Sequence, residues 1–292
     1  RRTGWTRRCS CAAATSTDLR DPMPRVSVCV PTHDGARWVE ATIRSVLAQT
    51  FADFEVVVSD DGSRDGTIDV VRAIDDPRVR IVPPPGAAGA AANWNHAVRS
   101  STAPLVKLLC QDDLLYPGAL AAEVAALDDP GAADAAFTWF RRDVVDSAGR
   151  RVNRWPHFRP ADASAGSARL ARDVVRSGRN PIGEPLTVTF RRSAYDRTAG
   201  FRGSYVIDLD MWLQLTAIGR GIHLPGTLGA FRVSPTSWSN TLRREQHEEV
   251  RAIQRRLRAE HPGAITTIDM LRGRASVGAL TLARQVVQRI VR

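Results

Sequence analysis

Residues 26–67, VSVCVPTHDGARWVEATIRSVLAQTFADFEVVVSDDGSRDGT, decide the fold of this chain. The run at 25–30 carries apolar side chains on both faces and stops at Pro31, as expected of a strand covered on both sides of a parallel sheet. Residues 35–49 place apolar side chains at helical spacing, which predicts a helix that packs on this strand. A second apolar run at 54–59 predicts another buried strand, so the order strand, helix, strand favours an α/β sheet.

The alternation of strands and helices continues to about residue 127. Apolar runs predict strands at 78–82 and 105–110, and helical spacing predicts helices at 91–99 and 119–127. Strands that alternate with helices in this way indicate a doubly wound α/β sheet.

The pattern is less regular in the second half of the chain, where we expect an α+β arrangement. The predicted elements are strands at 135–140, 186–190 and 228–233, an apolar helix after Asp208, and an Arg- and Glu-rich helix at about 242–258. No internal repeat and no long linker interrupts them.

The charge of the chain is positive, but its distribution argues against nucleic-acid binding. The 292 residues carry 41 Lys and Arg against 31 Asp and Glu, a formal charge of +10. Lys107 is the only lysine, and the arginines alternate with other residue types instead of forming a basic stripe. With 43% hydrophobic residues, the chain is long enough to bury an α/β core without disulfides.

The cysteines and the hydropathy pattern predict a cytoplasmic protein. Cys29 and Cys110 lie inside apolar runs, and with Cys9 and Cys11 they form no legible disulfide framework. No segment approaches the roughly 18 uninterrupted apolar residues that a membrane-spanning helix needs.

Both ends of the chain differ from its middle. We expect residues 1–22 to be a disordered N-terminal extension, residues 23–233 to form the main domain, and residues 234–292 to form a C-terminal helical segment. The stretch 271–292 has a basic amphipathic pattern. Such a helix either packs back on the domain and exposes its arginines, or makes peripheral contact with the anionic inner face of a membrane.

Polar clusters directly follow three of the predicted strands. They are Pro31-Thr32-His33-Asp34, Asp60-Asp61 and Asp112-Asp113. Ligands of doubly wound sheets bind outside the carboxyl ends of the strands, so all three clusters should open onto one edge. Each pair alone could be a turn or a helix cap. Their coincidence, with no Lys or Arg immediately beside them, indicates a site for a hard cation such as Mg²⁺ or Mn²⁺.

The sequence resembles the glycosyltransferases of family 2. The resemblance begins with residues 26–67 and continues in ANWNHAV (92–98), LVKLLCQDDLLYPGAL (105–120), VTFRRSAYDRTAGF (188–201) and DLDMWLQLTAIG (208–219), so that it covers about Arg25 to Val233. It implies the GT-A fold, a Rossmann-like doubly wound mixed sheet with an α+β acceptor-side half and C-terminal helices. It also implies an inverting enzyme that uses a nucleotide-diphosphate sugar.

The resemblance implies a role for individual residues. Asp208 matches the family's catalytic carboxylate, Asp113 the ligand of Mn²⁺ or Mg²⁺, Asp61 the contact to the base, and Asp112 the contact to ribose or sugar. The loop of Pro31, Thr32, His33 and Asp34 also faces the nucleotide sugar. Asn93 is a further candidate for donor binding, with a structural cap as its alternative. Glu184, in a Pro- and Gly-rich loop, is a candidate for acceptor binding, although loop acids are usually only solvated.

Three departures from the family pattern refine these expectations. His33-Asp34 stands where the family commonly has Tyr-Asn, which we expect to affect the choice of base or sugar. Ser234 replaces a histidine that often serves as a further metal ligand, so metal affinity should be weaker. No Gln-x-x-Arg-Trp motif follows Asp208, which favours transfer of one sugar per encounter to a glycan, lipid-linked or small-molecule acceptor.

Two other functions compete with this hypothesis. An oxidoreductase on a similar sheet would need G-x-G-x-x-G after the first strand, where the chain has Pro31. A catalytically inactive relative that binds nucleotide sugars or carbohydrate would keep the fold without the chemistry. Retention of Asp61, Asp113 and Asp208 argues for the enzyme.

Overall fold

One mixed sheet of eight strands organises the protein. The computed structural model describes residues 23–84, 86, 88–152, 166–234 and 243–277. The strands lie in the order β3-β2-β1-β4-β7-β6-β8-β5. Their bounds are β1 Val26–Thr32, β2 Phe54–Asp60, β3 Val79–Val82, β4 Leu105–Leu108, β5 Leu114–Leu115, β6 Ala135–Val145, β7 Val188–Arg191 and β8 Arg220–Arg232.

Strands β1 to β4 form the parallel half of the sheet. Every residue of β1 is buried, and this strand pairs in parallel with β2 on one side and β4 on the other. The register places Thr32 opposite Asp60, so the two strands end side by side. The polar residues that follow these strands therefore share one edge of the sheet, as the sequence predicted.

Helices cover both faces of the sheet. Their bounds are α1 Val39–Leu47, α2 Thr67–Arg72, α3 Ala90–Arg99, α4 Ala119–Asp128, α5 Ser167–Ser177, α6 Arg192–Tyr195, α7 Ile207–Ile218, α8 Arg243–Glu260 and α9, residues 267–277. Val28 and Val56 point into a core with α1 and α4, whereas Val57 and Val106 point into a second core with α3, α5 and α7. The mixed α/β class predicted from the sequence is confirmed.

The second half of the sheet departs most from the predicted strands. β8 begins at Arg220, well before the predicted start at residue 228, and β6 continues past Phe140 to Val145. These two strands pair in parallel with irregular register around Arg141. Polar residues, Pro225 and several glycines interrupt the apolar pattern there, so the sequence alone did not reveal the full strand lengths.

The C-terminal helices extend the second core. Ile253 and Leu257 of α8, together with Ile265 and Met270, are buried in the same cluster as the residues of α5 and α7. Among the residues that the structure describes, no helix is long and apolar enough to cross a membrane. Residues 1–22 and 278–292 lie outside the described residues, and the domain boundary at residue 233 stays a prediction.

A fully buried ion pair joins β4 to α4. Lys107 Nζ lies 2.7 Å from Glu123 Oε1, and both side chains are completely buried. Burial lowers the pKa of Lys107 and raises the pKa of Glu123, and each charge opposes the shift of its partner. The ammonium also lies over the Phe140 ring. Because neither charged group is hydrated, the charge of each is compensated mainly by the charge of the other.

We expect Lys107→Met or Glu123→Leu alone to lower the free energy of unfolding by about 3 to 5 kcal/mol, because each leaves one buried charge without its partner. The double variant Lys107→Met/Glu123→Leu should recover most of this loss. Urea unfolding at neutral pH measures all three. Glu40→Ala, which breaks the exposed pair with Arg44, is the control and should cost less than about 1 kcal/mol. A double variant no more stable than the single ones would contradict the prediction.

Candidate active site

The loop after β1 is held by the loops beside it. Thr32 Oγ1 donates to Asp60 Oδ1 at 2.7 Å, joining the ends of β1 and β2. The side-chain amide of Gln111 accepts from the His33 N–H and donates to the His33 carbonyl, both at 2.8 Å. Asp34 has a φ of 48° and accepts from the backbone N–H of Arg64 at 2.8 Å. The predicted donor loop thus has a fixed backbone, with the His33 and Asp34 side chains exposed.

Asp61 follows β2 directly, and its carboxylate is oriented by the backbone. Its N–H donates to the Thr32 carbonyl at 2.9 Å, and its Oδ2 accepts from the Gly89 N–H at 2.7 Å. His33 Nδ1 lies 2.9 Å from the Asp61 carbonyl. The structure therefore brings Asp61 against the loop after β1, which is the arrangement expected for residues that bind one ligand together.

Asn93 of α3 is buried beneath this loop. Its Oδ1 accepts from Ser59 Oγ at 2.6 Å, and its Nδ2 donates to the Thr32 carbonyl at 3.1 Å. The amide consequently ties the ends of β1 and β2 to α3. The contact is structural, although it is not the helix cap that the sequence left open as the alternative, and contact between Asn93 and the donor stays a prediction.

Asp112 and Asp113 lie just beyond β4, and Asp113 is completely buried. Asp113 Oδ1 accepts from the Arg232 N–H at 3.1 Å, whereas its Oδ2 has no hydrogen-bond partner among the described residues. Burial raises the pKa of Asp113 well above its usual range, and the charge of Asp112 adds to this shift. Burial likewise raises the pKa of Asp112, against which the Arg232 guanidinium acts. The unpartnered carboxylate oxygen of Asp113 is therefore a strong point of attraction for a cation.

Asp208 occupies the first turn of α7. Its Oδ1 accepts from the Leu209 N–H at 2.7 Å, and its Oδ2 accepts from Asn180 Nδ2 at 2.9 Å. Burial raises the pKa of Asp208 to about 7, and the charge of Glu184 contributes to the rise. A carboxyl group with this pKa exchanges its proton near neutral pH, as a general base must. Sequence reasoning missed Asn180, whose role depends on a partner 28 residues away.

Glu184 is engaged by an arginine of β6. Arg142 Nε and Nη2 donate to the two oxygens of Glu184 at 2.5 and 2.8 Å. Both side chains are largely buried, so the pair is a strong bidentate contact. The charge of Asp113 helps to raise the pKa of Arg142, and the charge of Glu184 helps to raise that of Asp208. The pair is therefore near both acids, and nothing in the local sequence marked Arg142 for this position.

The acids from separate parts of the chain converge around Cys110. Burial raises the pKa of this thiol well above its usual range, and four negative charges add to the effect. In decreasing order they belong to Asp113, Asp112, Asp208 and Glu184. The structure thus brings together the candidate metal ligand, the candidate base and the candidate acceptor residue. Asp61 is linked to them through His33 and through Gln111, the residue before Asp112.

The acidic group suits a divalent cation that is also bound by the ligand. Among the described residues, no three His, Cys, Asp or Glu side chains are close enough to hold a metal by themselves. Mg²⁺ and Mn²⁺ commonly use one or two carboxylates and take their other ligands from phosphate and water. The buried, unpartnered Oδ2 of Asp113 fits this mode of binding.

The sequence is similar to known proteins over most of its length. Residues 27–198 match the sequence model described as Glycosyl transferase family 2. The chain is 29% identical over 211 residues to the uncharacterized protein MT1568 of Mycobacterium tuberculosis. The aligned region covers 70% of this chain and 65% of that protein. It is 28% identical over 208 residues to the chondroitin synthase of Pasteurella multocida, which covers 69% of this chain. The chain spans 20% of that synthase, and so less than two thirds of either relative.

Solved structures share the fold. TarS of S. aureus in complex with UDP-GlcNAc has a TM-score of 0.60 at 17% identity and covers 85% of this chain and 69% of its own. The mannosyltransferase PcManGT of Pyrobaculum calidifontis in complex with GDP-Man and Mn²⁺ has a TM-score of 0.55 at 21% identity, over 89% and 76% of the two chains. Because the family match extends over more than half of the sequence, the chain belongs to glycosyl transferase family 2 and carries a glycosyltransferase domain of the GT-A fold.

Proposed function

We propose that this protein is an inverting glycosyltransferase that moves one sugar from a nucleotide-diphosphate sugar to an acceptor hydroxyl. The observation that carries the proposal is the convergence of Asp113 and Asp208 around Cys110. Asp113 has a buried oxygen that bonds to none of the described residues, and burial raises the pKa of Asp208 to about 7. A cation site beside a general base is what sugar transfer from a diphosphate requires.

In the proposed reaction, Asp208 acts as the general base. Its carboxylate takes the proton of the acceptor hydroxyl while the hydroxyl oxygen forms a bond to the anomeric carbon. The bond between that carbon and the diphosphate oxygen breaks on the opposite side, so the nucleoside diphosphate leaves and the configuration inverts. The hydrogen bonds from Asn180 and from the Leu209 N–H fix the orientation of the carboxylate.

The remaining residues bind the two substrates. Asp61, with the loop of Pro31, Thr32, His33 and Asp34, would contact the nucleotide, and Asp112 and Asn93 would lie near the ribose or the sugar. Asp113 would hold Mn²⁺ or Mg²⁺, which when bound offsets negative charge on the leaving diphosphate. Structural neighbours with UDP-GlcNAc, and with GDP-Man and Mn²⁺, support this class of donor and metal. Glu184, anchored by Arg142, would face the acceptor.

The class of acceptor is proposed from the relatives of this chain. The relative named chondroitin synthase supports a part in polysaccharide, cell-envelope or glycoconjugate biosynthesis. We propose transfer of a single sugar in the cytoplasm to a glycan, lipid-linked or small-molecule acceptor. Incubation with UDP-, dTDP- and GDP-sugars and Mn²⁺ in the presence of glycan, lipid-linked and small-molecule acceptors, followed by measurement of released nucleoside diphosphate, tests the activity. Tight donor binding without any turnover would favour the catalytically inactive alternative.

Asp208→Asn should lower kcat/KM by about 10² to 10⁴-fold, because the amide cannot accept the proton. In the wild type, kcat/KM should rise with pH through about 7 as Asp208 loses its proton, and then level off. The variant should lose this rise. Nucleoside diphosphate release between pH 5.5 and 9 measures both effects. Asp196→Asn, at an exposed aspartate, is the control and should keep the wild-type profile.

Asp113→Asn should abolish stabilisation of the protein by UDP with Mn²⁺. Binding to the folded state raises the melting temperature, more so for a tighter ligand, and the amide lacks the negative charge that attracts the cation. Thermal unfolding with UDP alone, with UDP and Mn²⁺, and with added EDTA measures this. An equal Mn²⁺-dependent shift in the variant and the wild type would contradict the role of Asp113.

We also propose peripheral contact of the C-terminal helices with the anionic inner face of a membrane. α9 packs on the domain through Asp269 and Met270, yet Ile268 and Leu271 are 62% and 57% exposed beside Arg272. An apolar pair next to a cation suits an anionic lipid surface. The basic amphipathic stretch after residue 277 lies outside the described residues.

Ile268→Ser/Leu271→Ser should reduce sedimentation of the protein with vesicles of phosphatidylcholine and phosphatidylglycerol, because the apolar contribution to binding is lost. Neutral phosphatidylcholine vesicles are the lipid control. Ala259→Ser, at an exposed residue of α8, is the control substitution. Equal sedimentation of the variant and the wild type would show that α9 only packs on the domain.

A further inference from the structure

The helix that carries Asp208 has no hydrogen-bond acceptor in the side chain of its N-cap residue. The first N–H groups of a helix need acceptors outside it, and an Asp, Asn, Ser or Thr at the N-cap position usually supplies one. The N-cap residue of α7 is Val206, whose side chain has no acceptor. Asp208 is the second residue of this helix, so its position depends on how the first turn is held.

A carboxylate from α8 instead binds the backbone that leads into α7, including the N–H of the N-cap residue Val206. Glu249 accepts from the N–H groups of Ser204, Tyr205 and Val206 at 2.8, 2.9 and 3.1 Å. Three successive backbone donors that converge on one anion form a specific and charge-assisted contact. The approach is close, since a Cβ built on Gly203, which has a φ of +89°, would lie 3.2 Å from Glu249 Oε2.

A second contact from α8 holds the first turn of α7. Arg256 Nη1 lies 2.6 Å from Asp210 Oδ1, and Asp210 is almost completely buried. Arg202, from the segment that precedes α7, donates to both oxygens of the same carboxylate at 3.0 and 3.2 Å. α8 thus holds the backbone before Asp208 and the side chain just after it.

These contacts have a chemical consequence if Asp208 is the base, so the inference rests on the proposed function. A displacement of about 1 Å in a catalytic group can cost about 10²-fold in rate. Asp208 reaches its Asn180 contact from the first turn of α7, and α8 contacts both the backbone before that turn and Asp210 within it. We propose that Glu249 is a positioning residue for Asp208, so that α8, which lies outside residues 27–198, completes the active site.

The test compares kcat and donor KM of Glu249→Ala, Glu249→Gln and the control Glu248→Ala, an exposed glutamate of the same helix. The assay uses the UDP-, dTDP- or GDP-sugar that the wild type turns over, with Mn²⁺. It measures release of nucleoside diphosphate at a temperature where each variant is fully folded. Glu249→Ala should lower kcat about 10-fold or more and leave the donor KM within about 2-fold, since Asp208 is displaced and the donor site is not. The kcat of Glu249→Gln, which keeps an acceptor oxygen, should lie between those of Glu249→Ala and the wild type. The kcat of Glu248→Ala should match that of the wild type.

Wild-type kcat in Glu249→Ala, together with a lower melting temperature, would overturn the proposal and leave Glu249 with a structural role only. If Glu249→Ala does not fold, Glu249→Gln decides by the same criterion: a lower kcat at unchanged donor KM supports the proposal, and a wild-type kcat refutes it. Asp208→Asn in the same assay separates the two levels of inference. Full turnover by Asp208→Asn would refute the proposed function itself, whereas its loss beside an unaffected Glu249→Ala would refute only the positioning role.

Discussion

Burial of several carboxylates around one thiol is the constraint on which the site depends. Asp112, Asp113, Glu184 and Asp208 all raise the pKa of Cys110, so their charges act on the same small region. Charges removed from water must be balanced by hydrogen bonds and opposite charges within the fold. The strands, loops and helices around the region balance part of this negative charge. The part that they do not balance can attract a cationic ligand.

The two halves of the sheet divide this task. The parallel half ends in loops whose backbones are tied to one another, as by the pair of hydrogen bonds between Gln111 and His33. Those loops present acids at the carboxyl edge of the strands, where α/β sheets bind ligands. The other half supplies cations: Arg142 of β6 pairs with Glu184, and Arg232 of β8 contacts the backbone of Asp112. The long, irregular pairing of β6 with β8 therefore serves the site as well as the core.

The sequence predicted the parts of the site that depend on local pattern. Asp61 and Asp113 were found because each directly follows a buried run, and the structure has strands β2 and β4 there. Asp208 was identified through the family resemblance, since an acid in the first turn of a helix has no distinctive local pattern. Arg232 and Asn180 were not predicted as partners, because the Arg232 contact with Asp113 spans 119 residues and no periodicity reports on it. Such contacts arise from strand order, and strand order in the second half was the least legible feature of the sequence.

The same segment of chain treats buried charge in two different ways. Lys107 on β4 is matched by Glu123 at 2.7 Å, and the pair is shut off from solvent. Six residues later, Asp113 is equally buried, but it accepts its hydrogen bond from the backbone N–H of Arg232 instead of from a cationic side chain. A lysine placed against Asp113 would stabilise the folded chain but would neutralise the charge that a cation needs. Sites that bind and react commonly keep a local cost of this kind, which the surrounding structure must offset. Here the well-packed sheet and the helices around it, α8 included, provide that stability.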